Sequence, residues 1–598
     1  MQRFFVGRRG LIGLALLYTL LNAPKPLTVD DGAYYYFARQ IAHDPLHPYA
    51  FTMHWYTYPQ PANEVLAPPV LPYWLSGAYA VGGERPWVWK LSLFPFALMF
   101  VGALHALARR LARSLEWPVV LLIVLSPLFL PSFNLMLDVP ATALGLTALA
   151  LFARACGRRS VGLALLAGLA AGLAMQTKYT ALATPAVIMI YALVMGRWAL
   201  GLLTATTAAA VFVGIEGFLW YQHGASHFLV NLKDTQHAQQ LEFKLAVARA
   251  LLPMLGGLAP GLILLALATL RAPGWLLTGV AALLAATYAA VGLTDFTPLL
   301  FGLWGFVLAG LALAAVVRLV LLHSPLGGAP GAAELGVRGE DSLFDPILAS
   351  GASNGPGPSS EPPSGPGPLL APLAKRGAGS SIAFRLSLFV ILWLMLEVSA
   401  YVPLAPFPAA RRVMGVVIAC TFVLGRLAAL LRPALAPWAV NGAVAGGALA
   451  GLLFCGVDLV DALVQQNAPE AAAEWIAQQP VAGGQRPATV WYTGHWGFQY
   501  YAERAGMKAV VPFYPGIDYS RLRPGDWLVV PDDRWNQQWI TVEPHAAAVV
   551  QMQAIPRTLP WRTVQCFYGG HMPLEHHPDR RIAVTIYRIT EPWSPSAR

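Results

Sequence analysis

Apolar runs close to twenty residues long recur along this chain, and that feature rules out most folds open to a polypeptide of its length. A helix rises about 1.5 Å per residue, so about 20 apolar residues cross the ~30 Å hydrocarbon core of a bilayer. About thirteen such segments can be drawn, with edges near 9–23, 87–112, 117–134, 138–154, 160–177, 181–196, 199–220, 249–270, 274–293, 297–318, 382–402, 413–431 and 437–460. Composition agrees, since only 12% of the 598 residues are Asp, Glu, Lys or Arg, against about 25% in soluble domains. In a soluble protein a net charge of +10 would suggest nucleic acid. Here much of the Lys and Arg stands between apolar segments, where it orients a membrane protein, and nucleic-acid binding is excluded. The chain reads as a polytopic α-helical membrane protein.

Its basic connectors alternate. Arg8 and Arg9, Arg109 to Arg113, Arg154 to Arg159, Arg197, Arg271, Arg318 to Arg385 and Arg432 fall on one side of the predicted spans. The positive-inside bias puts that side in the cytoplasm. The N-terminus is then cytoplasmic, and loop 24–86 and everything after about 462 lie outside. An Ala- and Arg-rich chain of this kind fits a bacterial inner membrane, crossed many times. The first segment is read as a helix rather than a cleaved signal. Four scattered cysteines suggest no disulfide framework. Four regions follow: a transmembrane part at 1–322 with its outer loop, a linker at 323–381, further transmembrane helices at 382–462, and a small α/β domain at 463–598. The linker contains "SNGPGPSSEPPSGPGP", too rich in Pro, Gly and Ser to bury a core. In the last region, "ATVWYTGHW", "DWLVVP" and "RIAVTIYRI" read as strands, and "PEAAAEWIAQQ" and "GFQYYAERAG" as helices.

Ionisable residues collect on the outer side. "LTVDDGAYYYFARQIAHDP" (27–45) places Asp30 and Asp31 just after the first span, followed by Tyr34, Tyr35, Tyr36 and Phe37. Taken alone, two aspartates at a helix start cap its free amides, and the aromatics form an interfacial belt. The same side, however, carries "EVLAPPVLPYWL" (64–75), Asp138 in "NLMLDVPATAL" and Lys178 in "MQTKYTAL". It also carries Arg411 and Arg412 in "VPLAPFPAARRVMG", while Glu216 and Glu397 lie in the outer thirds of their spans. Ionisable groups near membrane depth are costly unless paired or facing a polar cavity, which makes them functional candidates. His54, in "FTMHWYTYP", is a candidate for acceptor or sugar contact, as are Tyr34 and Glu216. "HMPLEHHPDR" (571–580) lacks clean ligand spacing and reads as a solvated loop, so no metal site is assigned.

These motifs, in this order and on one side, resemble the GT-C glycosyltransferases, specifically family 39, the protein O-mannosyltransferase and lipid A aminoarabinose transferase superfamily. "DDGAYYYFARQIA" is similar to that family's acidic pair and Tyr-rich helix, "APPVLPYWL" to its Pro-Pro-Leu element, "MLDVPA" to its second acidic motif and "MQTKYTAL" to its Leu-Thr-Lys-Tyr element. Two departures are Ala67, where the family often has a basic residue, and Asp31, where it has Glu. The resemblance implies an inverting transfer from a polyprenyl-phosphate-linked sugar to a lipid, protein or glycan acceptor at the outer face. It implies Asp30 as general base, with Asp31 supporting it or orienting the acceptor, and Asp138 positioning the sugar or the first loop. It gives Lys178, Arg411 and Arg412 to the donor phosphate, leaves a divalent cation as a candidate cofactor, and makes membrane lipids the surroundings. A secondary transporter or lipid flippase is the rival, but one-sided clustering of ionisable groups favours an interfacial enzyme.

Overall fold

The structure is a computed structural model and describes residues 7–55, 57–234, 240–291, 296–323, 371–431, 435–480, 487–531, 540–556, 559–563, 574–576 and 581–596. Of the predicted linker, 324–370 lies outside the described residues and 371–381 begins a helix, and most of 571–580 also lies outside.

Helices dominate. In order they are α1 (Arg8–Asn22), α2 (Asp31–His43), α3 (Val70–Gly82), α4 (Pro86–Ser92), α5 (Phe94–Leu111), α6 (Glu116–Val124), α7 (Asp138–Arg158), α8 (Val161–Met175) and α9 (Ala183–Val194). Next come α10 (Trp198–His223), α11 (His227–Asp234), α12 (Leu241–Leu258), α13 (Pro260–Thr269), α14 (Gly274–Ala290), α15 (Thr297–Leu322), α16 (Ala371–Leu404), α17 (Met414–Leu430), α18 (Pro437–Ala477) and α19 (Trp496–Arg504). By length and composition, 7 helices among the described residues can cross a membrane, or 8 if α12 and α13, bent by 77°, make one span. Three shorter apolar helices join them. The fold is thus the expected polytopic helical one.

One predicted span, 117–134, is not a straight helix. The nine residues of α6 are followed by a loop and a short 3₁₀ turn at Leu130–Ser132. Pro127 and Pro131 explain this, because proline removes an amide donor and clashes with the preceding turn. Its freed carbonyls are answered by α1 and the turn after it: Tyr18 Oη donates to Phe129 O at 2.7 Å, Asn22 Nδ2 to Leu130 O at 2.8 Å, and Lys25 Nζ to Pro131 O at 2.7 Å. Irregular backbone survives inside an apolar bundle only where such partners exist.

The 41-residue α18 leaves the bundle and continues into the C-terminal region. There Val464, Ala468, Ala472 and Ile476 pack with Tyr492, Phe498, Val529, Val584 and Ile586. The sheet they cover contains β3 (Val490–Tyr492), β4 (Lys508–Ala509), β5 (Trp527–Pro531), β6 (Ala547–Pro556) and β9 (Arg581–Ile589), ordered β4-β3-β5-β9-β6. Its first three strands are parallel and the last pairings antiparallel. Two minor ribbons complete the strands, β1 (Thr52–His54) with β2 (Pro59–Pro61), and β7 (Trp561–Arg562) with β8 (Glu575–His576). The predicted small α/β region is present.

Candidate functional site

Four chain segments converge at one end of the bundle. Asp30 sits at the N-cap of α2, yet its side chain caps nothing. Its Oδ2 instead lies 3.4 Å from Arg411 Nη1. The same guanidinium nitrogen is 3.7 Å from Oδ2 of Asp138, the first residue of α7, whose Oδ1 is paired with Lys178 Nζ. Arg411 and Arg412 occupy a single 3₁₀ turn, Ala410–Val413, after the prolines that end α16, and Arg412 stacks 5.1 Å from the Phe407 ring. Lys178 stands where α8 has ended and the turn Tyr179–Leu182 begins. Five of the predicted residues are therefore brought together as one alternating set of charges. Tyr34, one turn along α2, is buried beneath it.

Asp138, Lys178, Arg411 and Arg412 line a cavity of about 190 Å³ between α7, α9, α16 and α17. The rest of its wall is mostly apolar, with Leu146, Leu149, Val187 and Ile418 among its side chains. Glu397 and Tyr401 also line it, and Glu397 Oε1 accepts from Trp393 Nε1 at 3.0 Å. A largely apolar groove whose wall carries three cations suits an amphiphile with an anionic head.

Protonation is tuned by this setting. The side chain of Asp30 is 27% exposed, but lost hydration still outweighs the attraction of Arg411 and holds its carboxyl above the ordinary range. Burial pulls Lys178 down to about 7, with Asp138 opposing that shift and Arg412 and Arg411 adding to it.

Asp31 faces the other way. Fully buried, it accepts Thr28 N–H at 3.1 Å and looks toward Lys90 and Lys25, and burial pushes it up to about 6 despite those cations. Expected to support Asp30 or orient the acceptor, it is not among the residues that line the groove. Glu216, expected as an acceptor or sugar contact, is held by protein donors. Its carboxylate already takes hydrogen bonds from Gln176 Nε2 (3.0 Å), Tyr179 Oη (2.9 Å), Ser226 Oγ (2.6 Å) and Phe228 N–H (3.0 Å), which fill it. His54 does not line the groove. On β1, its Nε2 is 3.1 Å from Thr57 O and its carbonyl accepts from Gln499 of α19.

Sequence reading missed Lys25 and Lys90. Lys25 pairs with Asp458 of α18, and Lys90 Nζ donates to the carbonyls of Lys25 and Pro26. The available signal was Lys90 itself, a lone charge near the start of an apolar run. Among the described residues no group of three or more His, Cys, Asp or Glu stands together. Asp30 and Asp138 share a guanidinium instead, so these residues do not make a ligand set for a divalent cation.

No protein-family model matches the chain, and no curated protein matches it. Among solved structures it is similar to ArnT from Cupriavidus metallidurans bound to undecaprenyl phosphate, with 14% identity over 96% of this chain and 97% of that one, at a TM-score of 0.41. The Archaeoglobus fulgidus oligosaccharyltransferase in complex with Zn and sulfate aligns with 86% of this chain and 67% of its own, at 12% identity and a TM-score of 0.39. The arabinosyltransferase EmbB from Mycobacterium smegmatis aligns with 100% of this chain and 65% of its own, at 12% identity and a TM-score of 0.32. Likenesses this distant say nothing about function.

Proposed function

We propose that this chain is a GT-C-type membrane glycosyltransferase that moves a sugar from a polyprenyl-phosphate donor to an acceptor, with inversion. One observation carries the reading. A largely apolar groove is lined by Lys178, Arg411 and Arg412, and Asp30 stands against the same Arg411.

The acceptor's O–H or N–H gives its proton to Asp30 as the acceptor atom bonds to the anomeric carbon. The bond from that carbon to the phosphate oxygen breaks, and its electron pair leaves on polyprenyl phosphate. A phosphate departs readily, so the protein's tasks are to supply a base and to hold the growing negative charge. A positioned base contributes about 10²–10⁴-fold. Fixed cations shielded from water stabilise the leaving group without reorganising, and arginine can grip it through two donors. Asp138 holds Lys178 and Arg411 in place for that purpose. In this reading the site faces the outside of a bacterial inner membrane, with the N-terminus inside and the sheet region outside.

The test is transfer by purified protein in lipid, using a panel of labelled polyprenyl-phosphate sugars with membrane extract as acceptor source. Donor-dependent product with inverted anomeric configuration is expected from the wild type. The reading is overturned by a retained configuration, or by no transfer from any donor to any lipid, protein or glycan fraction.

A further inference from the structure

The direction of the Asp30 carboxylate depends on the turn before it, and that turn is strained. Val29 has φ +48°, the left-handed region that a β-branched residue rarely enters. Such a conformation persists only where the surroundings over-determine it. On one side the turn is held by Lys25 and Lys90, whose ammonium groups tie its backbone to the bundle.

On the other side it is held by α19 of the C-terminal region. Leu27 N–H donates to Tyr501 Oη at 3.0 Å. Tyr36 of α2 donates to Glu503, which also accepts from Tyr492 Oη at 2.8 Å and Gln499 Nε2 at 3.2 Å. Gly497 admits the turn: a Cβ there would stand 2.5 Å from Leu27 O and 3.4 Å from Thr28 Cα. Across the same contact, Trp496 also has positive φ, at +59°. Both partners are bent to fit each other, and the residue between the bend and α2 is Asp30.

We propose that the C-terminal region is part of the catalytic apparatus, with α19 acting as a clamp on residues 27–36 that aims Asp30 at Arg411. Tyr501, Glu503 and Gly497 are its positioning residues. The catalytic half of the proposal rests on the glycosyltransferase reading. A domain that merely hung from α18 would need no such contact with the helix bearing the base.

The test compares wild type, Tyr501→Phe, Glu503→Gln and Gly497→Ala in lipid, each checked by thermal melting. Asp526→Asn serves as control. Asp526 accepts from Thr489 N–H, Trp491 Nε1 and Arg523 N–H within the sheet region, away from α2. Hydrogen exchange of amides 31–37 reads the clamp without reference to any reaction. Transfer kinetics against pH read its consequence. The clamp variants are expected to exchange about 10-fold faster there and to lose about 10- to 100-fold in kcat, the scale of a small misplacement of a reacting group. Their KM for donor stays within about threefold, because the groove is untouched, and the acid limb of the pH profile shifts with the altered surroundings of Asp30. Asp526→Asn is expected to lower the melting temperature with kcat and the limb unchanged. Unchanged exchange in all three variants overturns the proposal. So does faster exchange with wild-type kcat and limb, or a control that reproduces the same losses. If wild type transfers no sugar, the glycosyltransferase reading fails on its own, and the exchange data still decide whether α19 holds α2.

Discussion

Asp30 and Asp31 are the same chemical group one residue apart, and the fold gives them different surroundings. Successive positions on a helix diverge by roughly 100°, so only one of the two can face Arg411. Asp30→Asn is expected to cost about 10²–10⁴-fold in kcat at an unchanged melting temperature. A folded mutant with wild-type turnover would remove it as the base. Lys178 makes a second prediction. The base must be ionised, and the Asp30 carboxyl is raised, so kcat/KM rises through a limb above the usual carboxylate range. The phosphate contact needs a charged Lys178, lowered to about 7, so kcat/KM falls as pH climbs past that point. In Lys178→Arg the guanidinium stays charged to beyond about pH 12. The falling limb should then move up by a unit or more, and an unmoved limb would assign it to another group. The acidic pair, the lysine and the arginines were legible in the sequence because charge is conspicuous in an apolar chain. Which aspartate turned inward was not, because a single-residue rotation is settled in part by Lys90, distant in sequence.

Among the elements, the apolar runs foretold where helices occur better than where they break. Hydrophobicity is the same along 117–134 whether the backbone is helical or not. The deciding facts are two prolines and the three side chains, Tyr18 and Asn22 of α1 and Lys25 just after it, that answer the loop carbonyls. Glu216 shows the same limit, since its four donors come from separate segments that no local pattern links. Asn22 tests the account of the loop. It is buried, and replacing it by Ala strips Leu130 O of its donor where no water reaches, a loss of about 1–3 kcal/mol. Thr19 is equally buried on the same helix, but it bonds only to Ala15 O one turn back. Thr19→Val is therefore expected to cost much less. Melting of the two variants in the same lipid compares them directly, and equal losses would mean that the α1 contacts do not support the broken segment.

At the scale of the whole molecule, the C-terminal region was recognisable from its strand patterns, but its attachment was not. Its last predicted strand and its short helix appear as β9 and α19, and the helical "PEAAAEWIAQQ" lies at the far end of α18. The join is ionic as well as apolar. Lys25, from the turn before the acidic pair, meets Asp458 on α18, and Asp458 Oδ1 accepts from Thr563 Oγ1 at 2.9 Å. Both ions are almost completely buried. Removing one member of such a pair leaves an uncompensated charge and costs about 3–5 kcal/mol, whereas replacing both by apolar groups of similar size is often close to neutral. Lys25→Met and Asp458→Leu should therefore each lower the melting temperature strongly, and the double variant should recover most of the loss. The recovered protein separates stability from geometry. If the pair only holds the regions together, its turnover returns with its stability. If the pair also fixes the strained turn at Val29, turnover stays low in a molecule that melts like the wild type. Additive losses in the double variant would show that Lys25 and Asp458 are not coupled at all.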